Sequence, residues 1–193
     1  MIRLFQVSKH FNKKVRILLI TNSLILIAGA MFGPIYALYV EEIGGDLLDA
    51  SLIFAAFSLV SGIVTYAVGH LTDKAKEKEL IIVLGYFITG LGFLMFLFVD
   101  SILSLLIVQI IIGIGGAVYS PPFDAVYTQH LDSNRAGKDW GAWEALYYFA
   151  TAFGAVTGGL LVTYLGFDAM FTVMALLCSA SAVYIYLLPR RTL

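Results

Sequence analysis

Charge is what this sequence has least of. Only 13% of its 193 residues are Asp, Glu, Lys or Arg, about half the share of an ordinary soluble domain. A soluble chain of this length still needs a polar surface, so the deficit excludes one and points to lipid as the solvent. Cysteine is nearly absent too. The single Cys178 excludes an intrachain disulfide framework and any cysteine-based metal cluster. Its setting in an apolar run reads as a small buried or lipid-facing side chain. The net charge of −1 gives no bulk basic balance for nucleic acid. No cluster of His, Asp or Glu has metal-ligand spacing. No Ser/His/Asp constellation or phosphate-binding loop stands out, so catalysis has no support in the sequence and no cofactor is expected.

What is there is apolar: 60% of the residues are hydrophobic and mean hydropathy is +0.90. A spanning helix needs about 20 mostly apolar residues. Six segments qualify, at about 17–40, 49–69, 80–99, 102–125, 141–165 and 168–188. The expected fold is an all-α integral membrane domain over 1–193, with three-helix units at 17–99 and 102–188. The basic start of the chain precedes an apolar segment too long for a signal peptide and without a suitable cleavage site, so that segment reads as an uncleaved span.

The twelve basic residues fall on one side of this layout. They are Arg3, Lys9, Lys13, Lys14 and Arg16, then Lys74, Lys76 and Lys78, then Arg135 and Lys138, and finally Arg190 and Arg191. The other side holds acids alone, among them Glu41, Glu42, Asp46, Asp49, Asp100 and Asp168. By the positive-inside rule both termini are expected in the cytoplasm. Trp140 and Trp143 then fall at the cytoplasmic interface, where indole rings prefer to sit. A weak internal repeat links "GAMFGPIYALY" in the first span to "GIGGAVYSPPFDAVY" in the fourth. Three helices repeated with inverted topology are a common transporter build.

The longest charged run, "GHLTDKAKEKE" at 69–79, is a lysine-rich loop that fixes topology. It also resembles the loop signature of the major facilitator superfamily, Gly-x-Leu-x-Asp-Arg followed by Gly and basic residues. Gly69, Leu71 and Asp73 match, Lys74 takes the first basic position, and Ala75 stands at the second glycine. "VQIIIGIGGAVYSPP" is similar to the fourth-span motif: Gly113, Gly115 and Gly116 match, with Gln109 in the arginine's place. "ATAFGAVTGG" resembles the fifth-span glycine motif of the drug and proton antiporters through Gly154, Gly158 and Gly159.

The resemblance covers nearly the whole chain and implies a single six-helix half with 3+3 inverted repeats. Members usually carry two such halves, so the chain reads as a half-size member. The resemblance further implies that Gly69 lets helices approach. Asp73 would latch the cytoplasmic side together with Lys74, and Asp124 and Glu144 are candidate gate partners there. Gly113, Gly116, Gly154 and Gly158 are expected to pack helices. Spans one and four would line a cavity, with Asn22, Tyr36, Gln109, Tyr119 and Tyr147 as candidate solute contacts, and Tyr39 and Tyr148 as weaker ones. For Asn22 and Gln109, helix–helix hydrogen bonding is an equal alternative. The function implied is transport of a small solute by alternating access, as a parallel homodimer in the plasma membrane. The alternative is a non-transporting accessory subunit paired with another half. The partners expected are a second copy, a small-molecule solute and the lipid bilayer.

Overall fold

The computed structural model describes residues 13–131 and 134–188, and side chains from Lys14 onward. The basic residues Arg3, Lys9, Arg190 and Arg191 lie outside the described residues. The described chain is helical throughout its elements. α1 (Lys13–Phe32) passes through a 3-10 turn (Gly33–Ile35) into α2 (Tyr36–Glu42). α3 (Leu47–Lys74) and α4 (Lys78–Met95) follow, with a 3-10 turn at Phe96–Phe98. α5 (Ile102–Gln129) and α6 (Ala136–Leu187) complete it.

Local chemistry sets these boundaries. Pro34 removes a backbone donor and has its place in the 3-10 turn between α1 and α2. Gly44, at φ 86°, makes the turn that returns the chain into α3. Asp46 and Asp49 form a reciprocal capping box there, at 2.9 and 3.0 Å. Ser101 and Ser104 form the same device at the start of α5. Pro121 and Pro122 lie inside α5 without ending it.

Five helices are long and apolar enough to cross a membrane, where six separate spans were expected. The difference lies in α6, whose 52 residues comprise two helical arms joined at a kink with no intervening loop. At about 1.5 Å per residue it would be near 78 Å long if straight, more than twice a bilayer core. It is not straight. Gly166 takes φ 84° and ψ 173°, outside the helical region. The proximal arm (136–165) runs parallel to α1: Gly154 packs on Ile27 and Ala30, and Gly158 on Met31. The distal arm (167–187) runs the other way, with Phe171 against Phe32 and the Ser181 hydroxyl donating to the Thr21 carbonyl. The two arms thus point in opposite directions along the same helix.

The helices pack in a chain of pairs. α3 packs on α5, α5 on α4, α4 on α6, and α6 on α1, while α1 touches α5. The core is aromatic at one end, where Phe32, Tyr39, Phe96 and Phe171 meet edge-on or stacked. At the other end Phe123 and Tyr127 stack, and Trp140 and Trp143 meet them edge-on.

Candidate functional site

α3 and the proximal arm of α6 flank α5 and α1, so these four elements form one broad open face. Its burial is uneven. Only 11% of the most apolar stretch of α3 is buried, against 56% for the α1–α2 segment. Leu52, Leu59 and Ile63 of α3 and Phe149, Phe153 and Val156 of α6 are exposed on these flanks.

The candidate solute contacts separate into two groups. Asn22 is 3% exposed and accepts a bond from the Tyr86 hydroxyl at 3.3 Å. The structure therefore gives Asn22 a helix–helix role, tying α1 to α4. Tyr86 was not among the sequence candidates. It is fully buried, and its ring packs edge-on to Tyr119 at 4.9 Å. Tyr119 is half-buried beside it. Nothing in the sequence separates this tyrosine from the ten others, because its partner lies 64 positions away. The second group stands nearer the open face. Tyr36 is half-buried, and its hydroxyl donates to the Ala50 carbonyl at 3.4 Å, a long bond. Gln109 of α5 is buried and interacts with the same hydroxyl. Tyr147 is partly exposed and stacks on Trp143, and Tyr148 is exposed next to it. Tyr39 is buried in the aromatic core, away from any open surface.

The gate candidates gather at the end of the bundle that carries the described basic residues. A cleft of about 420 Å³ opens between α3 and α5, lined by Gly69, His70, Thr72 and Asp73 with Pro121 and Ala125. The Thr72 hydroxyl is buried there without a hydrogen-bond partner. Asp73, Lys74, Asp124 and Glu144 are all exposed at this end. Trp140 and Trp143 are half-buried against the ends of α5 and α6.

The packing glycines are corrected in two places. Gly113, Gly154 and Gly158 pack closely: a methyl on Gly113 would stand 3.1 Å from the Phe57 carbonyl, and one on Gly154 would stand 2.6 Å from that of Ile27. Gly116 does not, since a methyl there meets open space. Its neighbour Gly115 makes the approach instead, with Thr89 N 2.7 Å from the added carbon. A one-residue offset on a helix turns a side chain by about 100°, and a motif of adjacent glycines does not say which one faces the neighbour. Gly69 also faces open space and lines the cleft rather than a helix contact.

Long apolar helices, an open apolar face and a polar cleft at one end define a multi-pass integral membrane helix bundle. The profile of the Major Facilitator Superfamily matches residues 18–193, and the chain belongs to that family. It is 29% identical over 175 residues to an uncharacterized MFS-type transporter of Methanocaldococcus jannaschii, covering 91% of this chain and 45% of the relative. It is 25% identical over 183 residues to the multidrug resistance protein MdtG of Klebsiella pneumoniae, covering 93% and 44%. A second uncharacterized MFS-type transporter of the same archaeon is 26% identical over 153 residues, with 79% and 37% covered. The chain thus spans less than half the length of the curated relatives it matches.

Proposed function

We propose that this chain is one half of an alternating-access transporter for small apolar or amphiphilic solutes, and that two copies in parallel make the working unit in the plasma membrane. The observation that carries this reading is the open face of α3, α5, α1 and the proximal arm of α6. Lipid suits its apolar flanks, but the half-buried Tyr36, whose bond to Ala50 is long at 3.4 Å, and the exposed Asp124 are polar groups that hydrocarbon covers poorly.

The same reading takes the reversal at Gly166 as a sixth crossing, with both termini cytoplasmic, and the six segments as two inverted three-helix repeats. The packing pattern supports this. Exchanging α1, α3 and α4 for α5, the proximal arm and the distal arm leaves the set of helix pairs unchanged. A pair of matching tyrosine bonds supports it as well. Tyr36, late in the first crossing, donates to Ala50 at the start of the second. Tyr127, late in the fourth, donates at 2.6 Å to the Asp139 carbonyl at the start of the fifth. In this scheme Asp73 and its cleft form the latch that holds the cytoplasmic side closed.

The test is reconstitution of the purified chain in liposomes. Counterflow of an amphiphilic probe solute, together with a dimer mass in lipid nanodiscs, is the expected result. The second reading, an accessory subunit paired with another half, draws on Gln109 standing where the resemblance expects arginine. A silent dimer, or co-purification with a second six-helix chain, favours that reading.

A further inference from the structure

The four elements of the open face are uncharged over most of their length. Residues 17–40, 50–69, 101–123 and 145–167 contain no Asp, Glu, Lys, Arg or His. Within these stretches Tyr36 and Gln109 form a neutral polar pair. Gln109 is buried about 10 Å inside the start of α5, and Asp124 stands about 22 Å further along the same helix, at the basic end. The acids of the opposite end bear on a different tyrosine. The carboxylates of Asp168 and Glu42 act on Tyr39, whereas the side chain that acts on the Tyr36 hydroxyl is the uncharged Gln109 amide. The Tyr36 hydroxyl donates to the Ala50 carbonyl at 3.4 Å, against about 2.7–2.8 Å for an ordinary O–H···O bond. A bond this long is readily exchanged for a better acceptor. An aromatic wall stands beside it, since Phe32 meets the Tyr36 ring edge-on at 5.4 Å.

A second copy facing this surface supplies the same side chains over again. The doubled stretches therefore add amides and phenols but no counter-charge. An ion stripped of water at hydrocarbon depth needs an opposite charge or a dense set of hydrogen bonds, and Asp124 is too far along α5 to serve at the depth of Gln109. An uncharged polar solute loses less on leaving water. It regains hydrogen bonds from the amide, which both donates and accepts, and from the phenol once that turns from Ala50. We infer that Gln109 and Tyr36 make the pathway selective for uncharged solutes whose hydroxyl or amide groups sit beside an apolar body, and that Gln109 sets this preference. This selectivity rests on the parallel-dimer transporter reading above and adds the charge class of the solute.

The experiment uses the full-length chain in liposomes and one coumarin group joined in turn to a neutral polyol, a trimethylammonium and a sulfonate. Counterflow of the polyol probe is expected, with much slower exchange of the two charged probes. Tyr36→Phe and Gln109→Leu are each expected to slow the polyol probe by about 2–12-fold, the span of one neutral hydrogen bond. Gln109→Glu, assayed at mildly alkaline pH, is expected to move the preference toward the ammonium probe by about tenfold or more, since hydrogen bonds to a charged group are stronger. Dimer mass in nanodiscs shows that each variant is folded, and a thermal shift with each probe reports binding apart from transport. Charged probes exchanged as fast as the polyol, or an unchanged preference in a dimeric Gln109→Glu chain, overturn the selectivity and leave the transporter standing. No exchange of any probe and no thermal shift from any of them overturn the transporter reading and the selectivity together.

Discussion

Two adjacent glycines offer a controlled test of the helix packing. Gly158 and Gly159 sit side by side in α6, one against α1 and one facing open space. A methyl on Gly158 would stand 2.6 Å from the Met31 Cα and closer still to its carbonyl oxygen. Ordinary carbon contacts lie at about 3.5–4.0 Å, so Gly158→Ala must push α6 and α1 apart by roughly 1 Å. The obstacle is backbone and cannot rotate away. Overpacking of this kind costs about 1–3 kcal/mol. The change also gains up to about 1 kcal/mol in helix propensity, which offsets part of the cost. Gly159→Ala receives the same propensity gain with no clash, so it is expected to be neutral or slightly stabilising. The two variants should differ by about 1–3 kcal/mol, the clash that only one of them meets. For a chain of this size that is a separation of about 2–12 °C in apparent Tm, measurable by thermal unfolding in detergent or nanodiscs. Equal Tm values for the two variants would refute the assignment of Gly158 to the α1 contact.

Three further outcomes are expected. In a double-mutant cycle of Asn22→Ala and Tyr86→Phe, a coupling of about 0.6 kcal/mol, the usual size for polar pairs in membranes, is expected in unfolding measurements; zero coupling counts against the bond. Cysteine introduced at Asp46 is expected to react with an impermeant thiol reagent from outside the cell and cysteine at Lys76 to be protected, and reversed labelling would invert the topology. Asp73→Asn is expected to leave insertion intact and shift cavity accessibility toward the cytoplasmic side, so unchanged labelling of reporter cysteines would leave the loop only its role in topology.

The spans were legible in the sequence because lipid imposes a one-dimensional rule. About 20 apolar residues must follow one another, and that is a property of neighbours along the chain. The charged run at 69–79 was legible as the break between the second and third spans, although α3 continues through Lys74 and α4 begins at Lys78. The reversal near 165–168 was anticipated as a gap between spans. In the structure it is a kink at a single glycine with positive φ, where two helices of opposite direction join.

Tertiary structure decided what depends on rotation and on distant partners. Gly115 rather than Gly116 meets Thr89, because one residue of rotation separates a contact from open space. Asn22 had two readings of equal standing, and the Tyr86 hydroxyl that bonds it comes from a helix 64 positions away in sequence. Hydropathy acts locally and can be read residue by residue. Facing and depth are set by packing between helices far apart in sequence, and they exist only once the bundle has formed.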